Sequence, residues 1–432
     1  HYAPLAAFRQ VRSADLPPDV RAGLFAALCR INVLYMVKRA GSGHLGTSFS
    51  CQDLVSWIFL EEVNADLDIF YSSKGHDVPA FYAALAGLEQ LPFEKLHALR
   101  RLGGLPGHPE VHIPRLEANT GSLGMGISKG KGMLLARRFQ GAATRVFVLT
   151  GDGELEEGQI WESLASAVAG RMDELTVVVD HNKIQSDTWV HKVSAIGDIA
   201  AKFRAFGWHV ERVDGHDLAA MARTFAALRE VRGQPKVVIA DTVKGKGVSF
   251  MEAFGPDDKF YDFHSGAPSD ERYRLALDEL TEEGRRRFQA AGLAWPKLET
   301  YEHVVAPSSP APRQMLVAAY GRELIRQAAK NERVVALDAD LIKDCGLTQF
   351  AEQYPDRLVE CGIAEQDMVS QAGGLALKGM IPVVHSFSSF LSARPNEQIY
   401  TNGTEATKVI YTATLAGLLP ATPGHSHQSV RD

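Results

Sequence analysis

The apolar positions along the chain follow two rhythms. Short, nearly continuous apolar runs, RVFVLT (145–150), LTVVVDHN (175–182) and KVVIADTV (236–243), alternate with longer stretches of helical spacing such as EGQIWESLASAVAG (157–170). Continuous apolar strands separated by helices predict a parallel sheet covered on both faces. From residue 270 the rhythm changes: DERYRLALDELTEEGRRRF reads as a charged helix, and APSSPAPR as a Pro/Ser-rich linker. A second pattern follows, with a helix QMLVAAYGRELIRQAAK, strands VVALDAD, IPVVHSF and KVIYTAT, and a helix AEQDMVSQAGGLAL with small residues on one face. The expected fold class is α/β with two tandem doubly wound parallel-sheet domains. They span 1–268 and 314–432, joined by a helical and Pro/Ser linker at 269–313. The second has few strands and reads as incomplete at its C-terminal end.

Composition narrows the partners. The 432 residues carry 46 basic and 52 acidic side chains, a net charge of −6. Such a chain has no general electrostatic pull toward nucleic acid or anionic lipid, so any phosphate must be held locally. No apolar run is seen to reach the ~18 residues of a membrane helix, and HYAPLAAF does not read as a signal peptide. Cys29, Cys51, Cys345 and Cys361 form no CxxC pair, which reads as reduced thiols in a cytoplasmic protein.

The first chemical signal is Gly151-Asp152-Gly153 at the carboxyl end of an apolar strand. It places a carboxylate in a crevice beside a helix N-terminus. Asn182 ends the next strand, thirty residues on. Adjacent parallel strands bring such ends to one crevice. Carboxylate, amide and backbone carbonyl oxygens, here Asp152, Asn182 and Ile184, are hard ligands that suit Mg²⁺ on a phosphate, or Ca²⁺ or Mn²⁺ in its place. Glu365 opens a helix with little charge on its inner face, where burial would favour the neutral acid.

GDGELEEGQIWE followed by HNKIQSD resembles the thiamine-diphosphate motif of the transketolase family. GSGHLG (41–46), KGH (74–76), GHPE (107–110), TGSLGMG (120–126), FHSGAP (263–268), GIAEQDM (362–368), HSFSSFL (385–391) and HSHQS (425–429) follow in the family's order. The resemblance runs through almost the whole chain. It implies that Asp152, Asn182 and the Ile184 carbonyl hold the cation on the diphosphate. Gly121, Leu123, Gly151, Gly153 and Glu157 would line the cofactor, with His76 near the diphosphate and Phe387 and Phe390 against the pyrimidine. Glu365 would activate the cofactor through the pyrimidine N1′. His44, His108 and His264 would surround the substrate hydroxyls and carbonyl, and His427 the donor end. His181, beside the metal loop, and His425 are further candidates. Imidazole suits these roles because it takes and gives protons near neutral pH.

The chain also departs from the family pattern. LIKDCGL follows VVALDAD without the expected arginine, Leu415 stands at a phosphate-contacting histidine position, and Pro423 at that of the aspartate reading hydroxyl stereochemistry. The resemblance therefore implies two-carbon ketol transfer from a ketose-like donor to an aldehyde acceptor, through an ylide and an enamine, on a substrate other than the usual sugar phosphates. Lys343 and His425 are candidate replacements in that pocket. It further implies a homodimer with active sites between chains and leaves room for a separate C-terminal subunit. Two enzyme readings share this front end, a 1-deoxyxylulose-5-phosphate synthase-like and a 2-oxo acid dehydrogenase E1-like decarboxylation. A cofactor-binding pseudoenzyme or scaffold is the reading from another class.

Overall fold

The computed structural model describes residues 1–255, 258, 260–301, 316–417 and 423–429. The Pro/Ser stretch of the expected linker, with the first residues of the expected second domain, lies outside them. The chain divides into two compact units. One comprises His1–Ile184 and Ile196–Tyr301, the other Gln185–Ala195 and Glu302–Asp432.

The first unit is built on a parallel sheet of β1 (Ile69–Ser72), β2 (Val146–Gly151), β3 (Leu175–His181), β4 (His209–Asp214) and β5 (Lys236–Asp241), in the order β1-β2-β3-β5-β4. The three apolar runs are its centre. Val177, Val178 and Val179 are all fully buried, so the continuous run reflects cover on both faces. β4 escapes the pattern because it is an edge strand with a largely half-exposed face, and β1 because it is only four residues long. The register Gly151↔Asp180 and His181↔Asp241 aligns the carboxyl ends of β2, β3 and β5, so the loops leaving them emerge side by side.

The helix Pro18–Ala40 corrects one expectation. Its mean hydropathy of 1.5 and its length suffice to cross a membrane, a run obscured in the sequence by Arg30 and Asn32. Within the unit 89% of its apolar window is buried, so it serves as the core helix, and Gly41 ends it in the left-handed conformation at φ 76°. Arg30 is tolerated there because Asp53 takes both Nη1 and Nη2, at 2.9 and 2.8 Å. The charged helix Asp270–Ala290 starts where Ser269 accepts from the Arg272 N–H at 3.2 Å, with Asp270 and Glu271 in its first turn.

The second unit has a four-stranded parallel sheet of β6 (Val334–Asp338), β7 (Leu358–Glu360), β8 (Ile381–Phe387) and β9 (Ile410–Thr414), in the order β7-β6-β8-β9. The helix Glu365–Leu377 packs on it through Met368, Val369 and Ala372, which join Val335, Leu337 and Val384 in one buried cluster. Gly373 is where Asn402 crosses this helix: a Cβ there would meet the Asn402 Oδ1 at 2.1 Å. The small residues of AEQDMVSQAGGLAL thus serve close packing.

Candidate active site

The segments after β1, β2, β3 and β5 carry most of the first unit's candidate residues, and His44 precedes β1, at the start of the helix Leu45–Trp57. Asp152 is buried and caps the short helix Gly153–Glu156, its Oδ1 accepting from the Gly153 N–H at 2.9 Å and its Oδ2 from the Lys183 N–H. Burial pushes its pKa up, with Asp180 adding to the shift and His181 opposing it. A carboxylate so placed favours a cation. Asn182 Oδ1 accepts from the Ile184 N–H at 3.1 Å, while Lys183 between them takes φ 72°, costly for a side chain with a Cβ. The Ile184 carbonyl accepts from Lys244 Nζ at 3.0 Å.

Beneath this loop lies a buried pair the motifs did not reveal. Lys74 Nζ donates to Asp180 Oδ2 at 2.6 Å and to Thr47 Oγ1 at 2.9 Å. Asp180 also accepts from Ser50 Oγ at 2.6 Å and from Thr242 Oγ1. Burial works against the Asp180 charge, but Lys74 and the hydroxyls outweigh it and hold its pKa below the usual value. The Asn182 amide Nδ2 faces Asp180 Oδ2 and Ser50 Oγ, each at 3.3 Å. This network orients the amide whose oxygen is the candidate ligand.

Glu154, likewise not singled out from the sequence, fixes the TGSLGMG loop. It accepts from the Gly124 N–H at 2.9 Å, the Gly151 N–H at 3.2 Å and Ser73 Oγ. Gly75, at φ 73°, lies so close that a Cβ would stand 2.6 Å from the Gly121 N, and one on Gly124 would stand 2.8 Å from the Glu157 Cβ. The glycines bring three loops together without side chains between them, with Gly121, Gly151 and Gly153 buried and Leu123 half-buried in the same turns.

Four histidines cluster. The His44 ring lies 5.4 Å from His76, 5.6 Å from His108 and 5.3 Å from His264, and His76 lies 5.3 Å from His264. His76, expected at the diphosphate, thus belongs with the three expected at the substrate. Burial holds His44 and His76 well below the usual imidazole pKa, and neighbouring cations and imidazoles add to it. His44 Nδ1 and Thr120 Oγ1 are buried without a hydrogen-bond partner among the described residues. Such orphaned polar atoms fit a polar ligand. Arg100 lies near enough to bear on His44. Its Nη1 donates to Ser42 Oγ at 3.1 Å, its Nε and Nη2 have no partner among the described residues, and burial brings its pKa down to about 10. His181 is engaged elsewhere, its Nδ1 at 2.7 Å from Asp241 Oδ1.

In the second unit Glu365 is 1% exposed, but its surroundings are not apolar throughout: both oxygens accept from Arg394 Nη1, each at 2.7 Å. The inner face of the helix is indeed uncharged; the cation comes from another element, after β8. Phe387, Phe390 and His427 form a ring cluster, with His427 5.4 Å from Phe387 and 5.1 Å from Phe390. Ser388 Oγ donates to Ser429 Oγ at 3.0 Å, tying the HSFSSFL turn to HSHQS. Lys343 Nζ lies 4.0 Å from Asp187 Oδ1, so its charge is shared with that carboxylate, and His425 is exposed.

Residues 23–255 match the thiamine diphosphate binding domain of transketolase, and residues 313–432 its pyrimidine binding domain. The chain belongs to the transketolase family. Among its relatives is an apulose-4-phosphate transketolase subunit of Phocaeicola vulgatus, 32% identical over 59% of this chain and 91% of that protein. A 6-deoxy-6-sulfo-D-fructose transketolase subunit from a Clostridium species is 34% identical over 60% of this chain and 96% of that one. The transketolase of Pongo abelii is 30% identical over 84% of this chain, which spans only 60% of that protein. The fold is that of a transketolase mutant from Pichia stipitis solved with fructose 6-phosphate, at a TM-score of 0.52 and 20% identity over 96% of this chain and 71% of that one. Both matched domains are those by which the family binds thiamine diphosphate.

Proposed function

We propose that this protein transfers a two-carbon ketol unit from an anionic ketose-like donor to an aldehyde acceptor, using thiamine diphosphate and a divalent cation, with Mg²⁺ the first candidate. The observation that carries this reading is the convergence of buried Asp152, Asn182 and a glycine-built cradle with a quartet of clustered histidines in one unit. The residues present fit the cofactor: His44 Nδ1 and Thr120 Oγ1 have no polar partner among the described residues, and the glycine loops leave backbone rather than Cβ atoms at their surface.

Thiamine diphosphate, when bound, supplies the carbon nucleophile and the electron sink that make cleavage beside a ketone feasible. The chain's own residues do the rest. Asp152 and Asn182 would hold the cation, and Glu365 the pyrimidine. His44, kept neutral by burial among cations and other imidazoles, would accept and return hydroxyl protons during bond cleavage and addition, with His108 beside it in the same role. Arg100, whose Nε and Nη2 are buried atoms with no partner among the described residues, supports an anionic substrate. Two relatives whose names carry a phosphate and a sulfo sugar support a donor outside the common sugar phosphates. Both are named as subunits, which supports assembly with further polypeptide, and a homodimer with shared active sites is the arrangement we propose. The four free cysteines support a reducing, cytoplasmic setting.

The test is a donor screen by mass spectrometry with thiamine diphosphate and Mg²⁺. Phosphorylated, sulfonated and neutral ketoses and pyruvate are offered, and the released aldehyde or CO₂ is measured, with Glu365→Gln as control. Aldehyde released from an anionic ketose supports the reading. CO₂ from pyruvate alone, or no turnover on any donor, contradicts it.

A further inference from the structure

The Glu365–Arg394 pair has a geometry that a merely structural ion pair does not require. One guanidinium nitrogen, Nη1, bridges both carboxylate oxygens at 2.7 Å, in place of the two-nitrogen fork that arginine commonly offers a carboxylate. The same guanidinium lies over Phe390, its central carbon 4.4 Å from the ring centroid. Arg394 is held there by its backbone, whose N–H donates to the Phe390 carbonyl at 2.9 Å. Glu365 and Arg394 are both largely buried, at 2% and 10% side-chain exposure, so neither is free to exchange partners with water.

A bridging nitrogen permits a move that a fork does not. The carboxylate can turn about Nη1 and offer one oxygen elsewhere while the other keeps its hydrogen bond. A buried carboxylate released completely would be left unpaired, which is strongly unfavourable. Retaining one bond avoids that cost.

We propose that Arg394 is a positioning residue for Glu365. It holds the carboxylate in the cofactor-free chain and keeps one of its oxygens when the other turns to the pyrimidine of thiamine diphosphate. By lying on Phe390, it also sets the carboxylate and the ring at a fixed offset, so that both address one ligand. This inference rests on the ketol-transfer reading, and the experiment separates the two.

Thiamine diphosphate is titrated calorimetrically into the full chain with Mg²⁺ and no substrate. The proteins are the wild type, Arg394→Met, Arg394→Lys, Glu365→Gln and the double variant, with thermal melts to check folding. Arg394→Met is expected to weaken binding at least tenfold, and Arg394→Lys to recover most of that loss. In the Glu365→Gln background, Arg394→Met is expected to change affinity less than twofold, because the residue acts through the carboxylate. If Arg394→Met does not fold, the Glu365→Gln and double variants carry the test, since neither leaves a buried carboxylate unpaired: equal affinities support the proposal. Wild-type affinity in Arg394→Met, or a tenfold loss that persists when Arg394→Met is added to Glu365→Gln, overturns it and leaves the functional reading standing. No binding by the wild type overturns both.

Discussion

The two units prepare their chemistry in different ways. In the first, candidate residues sit in short loops after neighbouring parallel strands, and each loop is braced by the next: Gly75 against Gly121, Glu154 on the Gly124 N–H, Lys183 N–H on Asp152. In the second, Glu365 is completed by a residue 29 positions later on another element. Their electrostatics differ too. In the first unit a cluster of histidines is buried beside acids such as Asp152, with His44 and His76 pushed toward neutrality. The second gathers acids around Asp338, Asp340, Asp344 and Asp187, where burial and mutual repulsion push Asp340 up to about 7 and Asp344 to about 6. A bound diphosphate and its cation need a rigid backbone cradle, whereas a single acid needs one well-placed partner. Loop motifs encode the first requirement and packing the second.

The sharpest way to break this comparison is Glu365→Gln. The loss of the carboxylate is expected to lower turnover by about 10²–10⁴-fold, the range for a positioned acid–base group, while folding stays intact because the amide still accepts from Arg394. A melt and a steady-state assay read both. Turnover near wild type would remove the second unit from the chemistry.

Lys74→Met comes next. It leaves Asp180 buried without its cation, at an expected cost of about 3–5 kcal/mol, read by urea unfolding. Because Asp180 orients Asn182, Mg²⁺-dependent cofactor affinity should fall as well. Lost stability with unchanged affinity would mean that the network serves the fold alone.

The smallest effect concerns pH and has opposite signs in the two regions. Asp340 has a folded pKa near 7, above its ordinary 3.8, so ionising it costs stability as pH rises from about 4 through 7. Asp340→Asn should therefore raise the melting temperature at pH 8, by about 2–4 °C for each kcal/mol released, and give little gain at pH 4. His44 is held below its ordinary 6.5, so acidification below that value favours the unfolded chain. His44→Gln should gain relative stability at about pH 5 and none at about pH 8. Parallel pH trends in the two variants would refute the contrast.

The sequence carried most of the sheet framework. IPVVHSF coincides with β8, and RVFVLT, LTVVVDHN and KVVIADTV hold the three central strands of the first sheet, because strands buried on both faces read as unbroken apolar runs. The edge strand β4 did not, since its exposed residues break the run. At the candidate site, the histidines and the Gly-Asp-Gly turn were legible as motifs. Lys74, Asp180, Glu154, Arg100 and Arg394 were not, because each acts through partners distant in the sequence, such as Lys74 and Asp180, 106 residues apart. Two did leave a trace: Lys74 follows the buried strand β1, and Asp180 interrupts VVVDHN, so each is a charge at the edge of an apolar run. A charge in that setting signals a buried partner.

The most direct test of the central claim is the affinity of the wild-type chain for thiamine diphosphate, measured by calorimetry with Mg²⁺, after chelation, and in Asp152→Asn. The account predicts binding that requires the cation and weakens at least ~10-fold in Asp152→Asn, with Glu365→Gln retaining the cation dependence. Absence of binding, or binding indifferent to chelation and to Asp152→Asn, would contradict it.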